Sequence, residues 1–142
     1  MKVVVIHQSR TGNTRRAAEL IGGAAEAAGA IVAGRPTTNL DYKELAEADL
    51  VFVGTWVDGL IIFGHRPGDL GKVKQVPKLW NKRVAVFMPH AVNPGNAADK
   101  LAAVLEADGA DVVASRSLNR RRLDADAPAF AAEVLASLSA AA

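Results

Sequence analysis

The stretch Lys2-Val3-Val4-Val5-Ile6-His7-Gln8-Ser9-Arg10-Thr11-Gly12-Asn13-Thr14-Arg15-Arg16-Ala17-Ala18-Glu19-Leu20-Ile21 decides how this chain folds. Val3 to Ile6 form a β-branched apolar run, the pattern of a strand. From Asn13 onward the apolar residues take helical spacing. Ser9, Thr11, Gly12 and Thr14 therefore fall where a strand hands over to a helix N-terminus. The first amides of a helix lack intrahelical acceptors, and the macrodipole makes that end positive. A phosphate can accept hydrogen bonds from those amides and from the three hydroxyls. Gly12 lets the backbone approach closely, and Arg10 can add charge to the cradle or face water. The plainer alternative is a capped helix with Asn13 or Thr11 as its cap. No Gly-Lys-Ser/Thr follows, and Gly-x-Gly-x-x-Gly is absent, so neither a Walker loop nor a dinucleotide fingerprint is present. What remains is a cradle for a monophosphate.

Working outward, apolar runs alternate with helical patterns along the chain. The spacing predicts strands at 2–7, 30–34, 49–54, 82–88 and 110–115. It predicts helices at 13–28, 41–48, 70–80, 94–108 and 127–139. Gly29 stops the first helix. Asn93 caps the fourth, with Pro94 in its first turn, and Asp126 caps the last, just before Pro128. Strands alternating with helices predict a parallel sheet covered on both faces, in one domain spanning 1–142. In such a sheet a ligand binds beyond the carboxyl ends of the strands, where the strand order switches.

Composition narrows the chemistry. There is no cysteine among the 142 residues, which excludes disulfides, thiolate metal sites and redox-active thiols. His7, His65 and His90 lie in separate segments without metal-ligand spacing, so no metal site is expected. Ser9 lacks the context of a nucleophile elbow. No apolar run reaches the roughly 20 residues that span a bilayer, so membrane insertion is not expected. The chain opens directly with a strand, and a cytoplasmic location follows as the expectation. Residues 1–70 carry 7 basic and 8 acidic side chains, a net −1; residues 71–142 carry 10 and 7, a net +3. The excess gathers at Arg116 and Arg120-Arg121-Arg122, which can steer acidic partners or form a solvated loop. No aromatic surface accompanies it, so nucleic acid is not expected as a partner.

A second loop carries the decisive companion signal. After the third strand comes Gly54-Thr55-Trp56-Val57-Asp58-Gly59-Leu60, read as a tight turn at the crevice. There an indole can lie against a planar ring, or plug the end of the sheet. Ser-x-Thr-Gly-Asn-Thr after strand one and Gly-Thr-Trp-x-x-Gly after strand three resemble the flavodoxin family, over essentially the whole chain.

That resemblance implies a flavodoxin-like three-layer sandwich: a five-stranded parallel sheet in order 2-1-3-4-5 with helices on both faces. It also implies FMN as the cofactor. Ser9, Arg10, Thr11, Gly12, Asn13 and Thr14 would hold the FMN phosphate. Thr55, Trp56, Val57, Asp58 and Gly59 would line one side of the flavin, with Trp56 stacked on it. From the third loop, Pro89, His90, Ala91, Asn93 and Asn96 would reach the pyrimidine edge and the other face.

The sequence departs from the family pattern in three ways, one of them the segment Ile61-Ile62-Phe63-Gly64-His65-Arg66-Pro67-Gly68-Asp69, apolar and then basic where flavodoxins tend to be acidic. The third loop lacks the usual tyrosine, since Tyr42 is the only one and belongs to the second helix. The calculated pI is about 9.2, where flavodoxins are acidic. The expected function is an electron carrier between redox proteins, whose docking surfaces would be acidic. The alternative is a small FMN-dependent reductase or oxidase acting on a quinone or porphyrinogen. No catalytic side chain is expected, because the flavin performs the chemistry.

Overall fold

The valines of the first strand supply both sides of a core. In a computed structural model, which describes residues 1–8, 12–58, 66, 67, 79, 81–91 and 95–140, β1 is Lys2–His7. Val3 and Val5 face one layer of helices and Val4 and Ile6 the other, as the two-residue period of a strand requires. The remaining elements are α1 (Asn13–Ala27), β2 (Ile31–Pro36), α2 (Tyr42–Glu47), β3 (Leu50–Gly54), β4 (Val57–Asp58), β5 (Arg66–Pro67), β6 (Arg83–His90), α3 (Ala97–Ala107), β7 (Asp111–Asn119), a 3-10 turn at Arg120–Arg122 and α4 (Leu123–Ala140).

The main sheet runs in the order β2-β1-β3-β6-β7, with every pairing parallel. Counting only these five strands, the order is 2-1-3-4-5, as expected. Chain order reverses between β1 and β3, which places the ligand crevice beyond the carboxyl ends of those strands. β3 is buried along its whole length, so it reads as a continuous apolar run with no alternation.

Two apolar layers sandwich the sheet. On the side of α1 and α4, Phe52, Phe87, Phe130 and Ile21 form the core, with Phe130 meeting Phe52 edge-on at 6.0 Å between ring centres. On the side of α2 and α3, Val86, Met88, Leu101 and Leu105 do so. α1 ends as predicted. Gly29 is left-handed at φ 96°, while the Ala30 amide donates to Ala25 O at 3.0 Å and that of Gly29 to Glu26 O at 2.9 Å. These two bonds complete a Schellman motif.

Three boundaries differ by three residues or more from the sequence reading. The last helix starts at Leu123 rather than 127. Its cap lies further upstream, where Asn119 accepts a hydrogen bond from the Arg121 amide at 3.0 Å and opens a 3-10 turn that runs straight into the helix. Asp126 is no cap; it faces Arg122 at 3.6 Å, one helical turn away. Pro128 sits inside the helix. α3 begins at Ala97, and Asn96 occupies the N-cap position without a side-chain bond; Asn93 and Pro94 lie outside the described residues. β7 extends to Asn119, four residues past its expected end. The helix expected at 70–80 lies outside the described residues except for Leu79, which is buried.

Candidate functional site

Strand register brings the three loops of the sequence reading to one edge. His7 stands opposite Gly54 on β3, Gly54 opposite Phe87 on β6, and His90 opposite Asn119 on β7. The segments that follow β1, β3 and β6 therefore start side by side.

The first segment enters α1 through Gly12, which is left-handed at φ 94° and is the N-cap. The N-cap is therefore Gly12 and not Asn13. A Cβ at Gly12 would meet nothing within 4 Å, so conformation rather than crowding within the chain calls for glycine. The first helical bond runs from the Arg16 amide to Gly12 O at 2.9 Å.

The first turn of α1 carries no acidic residue but holds Arg15 and Arg16. Cations at the positive end of a helix are unfavourable for folding and favourable for an anion placed there. Each arginine is partly offset: Arg15 faces Glu19 at 3.2 Å, and Arg16 pairs with Asp124 at the start of α4. Asn13 is half-buried and Thr14 is buried. Ser9, Arg10 and Thr11 lie outside the described residues.

In the second segment, Thr55 is fully buried and Trp56 half-buried. Half-burial leaves part of Trp56 accessible to a ligand. Val57 and Asp58 do not form the expected tight turn. They are extended as β4 and pair antiparallel with Arg66 and Pro67 of β5. Gly59 lies outside the described residues. In the third segment, Pro89 is buried, His90 half-buried and Ala91 exposed. Asn93 is again outside the described residues, and Asn96 leads into α3.

Three further residues were not singled out for these roles by the sequence. The Gln8 amide donates to Gly54 O at 2.9 Å, and its side-chain oxygen accepts from Thr37 Oγ1. Gln8 thereby clamps the exits of β1, β2 and β3 together, immediately before the hydroxyl loop. Gly54 leaves room for a ring: a Cβ there would fall 2.2 Å from Phe87 Cε2. His7, whose carbonyl accepts from the Thr37 amide at 3.0 Å, has a buried Nδ1 without a hydrogen-bond partner among the described residues. Burial holds its pKa below the ordinary value of 6.5; Arg15 lowers it further, against a smaller opposing effect of Glu19. Nothing in a polar residue at a strand end marks a clamp, and register, which sequence does not print, is what reveals Gly54.

The arrangement fits a ligand with an anionic tail and a planar head. The anion end is a helix N-terminus cleared of carboxylates in its first turn. The planar end has the half-exposed Trp56 and, at the far side, the buried His90 Nδ1, which has no hydrogen-bond partner among the described residues and can meet a polar ring edge. Among the described residues, no group of His, Asp and Glu side chains can hold a metal ion.

The fold has known relatives. Residues 4–106 match the family described as the flavodoxin domain. No curated protein sequence matches significantly. Among solved structures, flavodoxin 1 of Bacillus cereus is 23% identical, with a TM-score of 0.71 over 95% of this chain and 97% of that one. The two-electron reduced flavodoxin of Megasphaera elsdenii is 23% identical, with a TM-score of 0.68 over 89% of this chain and 98% of that one. The flavodiiron protein of Giardia intestinalis is 17% identical with a TM-score of 0.65; the match covers 95% of this chain but 36% of that one. At these identities the structures establish the fold.

Proposed function

The chain belongs to the flavodoxin family, whose cofactor is FMN, and from that premise we propose that it is a single-domain, cytoplasmic electron carrier shuttling electrons between redox proteins. The observation that carries this reading is the pairing, at one sheet edge, of an anion-ready helix start with a half-exposed tryptophan. In this reading Gly12, Asn13 and Thr14 of α1, with Ser9, Arg10 and Thr11 before them, hold the phosphate. Trp56 stacks on one face of the ring system, beside Thr55, Val57, Asp58 and Gly59. His90 offers its buried Nδ1 to the polar edge, in a loop with Pro89, Ala91, Asn93 and Asn96. Bound FMN would supply one- and two-electron chemistry; the chain orients it and leaves one edge to partners. Those partners would carry acidic docking surfaces, opposite in sign to a chain of pI about 9.2.

A second reading is favoured by one observation. Residues 89–96 contain no Phe, Tyr or Trp, so no large ring from this loop shields the outer flavin face, and a small quinone or porphyrinogen could react there directly. One experiment separates the two. FMN-loaded protein is given a reduced nicotinamide and a quinone, with no other protein. Absence of steady turnover, together with transfer of electrons from the photoreduced protein to an external acceptor, supports the carrier. Sustained turnover supports the reductase.

A further inference from the structure

The basic cluster near the end of the chain is resolved by the fold into two kinds of arginine. Arg116 is absorbed into the structure: it faces Glu133 at 2.7 Å, and its guanidinium lies 5.4 Å from the centre of the Phe130 ring. Arg122 faces Asp126. Arg15, Arg16 and Arg35 also sit against carboxylates. Arg120 and Arg121 are exposed and have no carboxylate partner among the described residues.

Their turn is held at both ends. Asn119 accepts from the Arg121 amide, and Leu123 is buried in the core at 2% exposure. Asp124, one residue further, pairs with Arg16 in the first turn of α1. Asn119 is also the register partner of His90. The turn therefore lies between the exit of β6 and the start of α1, on the rim of the crevice. A guanidinium pair on a fixed backbone loses less freedom on binding than one on a mobile loop, and each fork matches a carboxylate.

We propose that Arg120 and Arg121 are the docking point for an acidic redox protein, whose paired carboxylates seat on this turn beside the cofactor crevice. The inference rests on the electron-carrier reading above. Two free guanidiniums suit a carboxylate pair; anionic membranes are usually engaged by clusters of four to eight cations. Among the described residues the exposed large apolar side chains, Met1, Ile31 and Tyr42, lie on other elements.

The test uses FMN-loaded, photoreduced protein and two small oxidants of opposite charge. One electron passes from the reduced flavin to hexacyanoferrate(III), giving hexacyanoferrate(II); hexaamminecobalt(III) is the cationic counterpart. At low ionic strength the variant R120A/R121A should react with hexacyanoferrate(III) roughly three- to tenfold more slowly and with hexaamminecobalt(III) faster, both differences vanishing at high salt. Arg83→Ala, at the opposite end of β6, should change neither rate. A hexaglutamate peptide should slow the hexacyanoferrate reaction of the wild type and not that of the double variant.

Unchanged rates in a variant that remains yellow and photoreducible would overturn the docking site and leave the carrier reading intact. Binding to phosphatidylserine vesicles that is lost in R120A/R121A, with no effect of hexaglutamate, would assign the turn to a membrane surface and also overturn the proposal. A chain that takes up no FMN overturns the carrier reading. Hexaglutamate binding to the flavin-free chain, followed by NMR, then decides the patch separately: loss of that binding in R120A/R121A upholds it, and its absence in the wild type rejects it.

Discussion

Gly54 and Phe87 face each other across β3 and β6, and the Phe87 ring fills the space that a side chain at residue 54 would need. The same Gly54 accepts a hydrogen bond from the Gln8 amide and leads directly into Thr55 and Trp56. One glycine thus lets a core ring lie under the crevice, joins the exit of β1 to that of β3 and starts the second loop.

Gly54→Ala should therefore destabilise the fold by overpacking, at about 1–3 kcal/mol or more. The partner change Phe87→Leu should relieve part of that cost while carrying its own. Chemical denaturation of the two single variants and the double variant measures the coupling. Additive effects would mean that the ring is not what excludes the methyl group.

Gly12→Ala meets no neighbour but must adopt φ 94°, a strain of about 1–2 kcal/mol for a residue with a Cβ. Asn tolerates this region better, so Gly12→Asn should be milder. Both should lower stability and weaken FMN more than riboflavin, because the strain lies at the phosphate end. Parallel denaturation curves and flavin titrations check the order glycine, asparagine, alanine.

Trp56→Ala should weaken FMN and riboflavin by the same factor, about two- to tenfold, since stacking acts on the ring they share. In the wild type the fluorescence of Trp56 should fall when flavin binds. An affinity unchanged by the substitution would make this indole a plug for the sheet.

His7 gives the fold a pH dependence whose sign follows from its environment. Its pKa is lowered in the folded chain, chiefly by burial and then by Arg15, so the unfolded chain binds the proton more readily. Stability is undiminished above the unfolded value of about 6.5 and is lost as pH falls from there towards the folded value. Denaturation curves between pH 8 and pH 5 should show this slope, and His7→Phe should reduce it. An NMR titration of the imidazole should place its midpoint below 6.5; a midpoint above it would reverse the sign.

Much of this was legible in the sequence. The β-branched run before Ser9 and the helical spacing after Asn13 fixed the first strand and helix, and the alternation of elements gave the sheet. What sequence could not supply was anything set by register or by competing turn chemistry. Pro128 reads as a helix opener, yet Asn119 starts a turn that carries the helix past it. Val57 and Asp58 precede a glycine and read as a turn, yet strand pairing with Arg66 and Pro67 holds them extended. Arg116 and Arg122 read as part of one basic cluster, yet Glu133 of α4 faces Arg116 and Asp126, four residues on, faces Arg122. Gln8 and Gly54 show their roles only when β1 and β3 lie side by side.

The account stands most directly on how the chain tells FMN from riboflavin, which differ by the phosphate alone. Fluorescence titration of the flavin-free protein with each measures it. Two or more hydrogen bonds to a charged group, at about 1.5–3 kcal/mol each, predict FMN binding with quenched flavin emission at least about a hundredfold tighter than riboflavin. Equal affinity for the two, or no quenching with FMN, would contradict the assignment of the α1 N-terminus as the phosphate site.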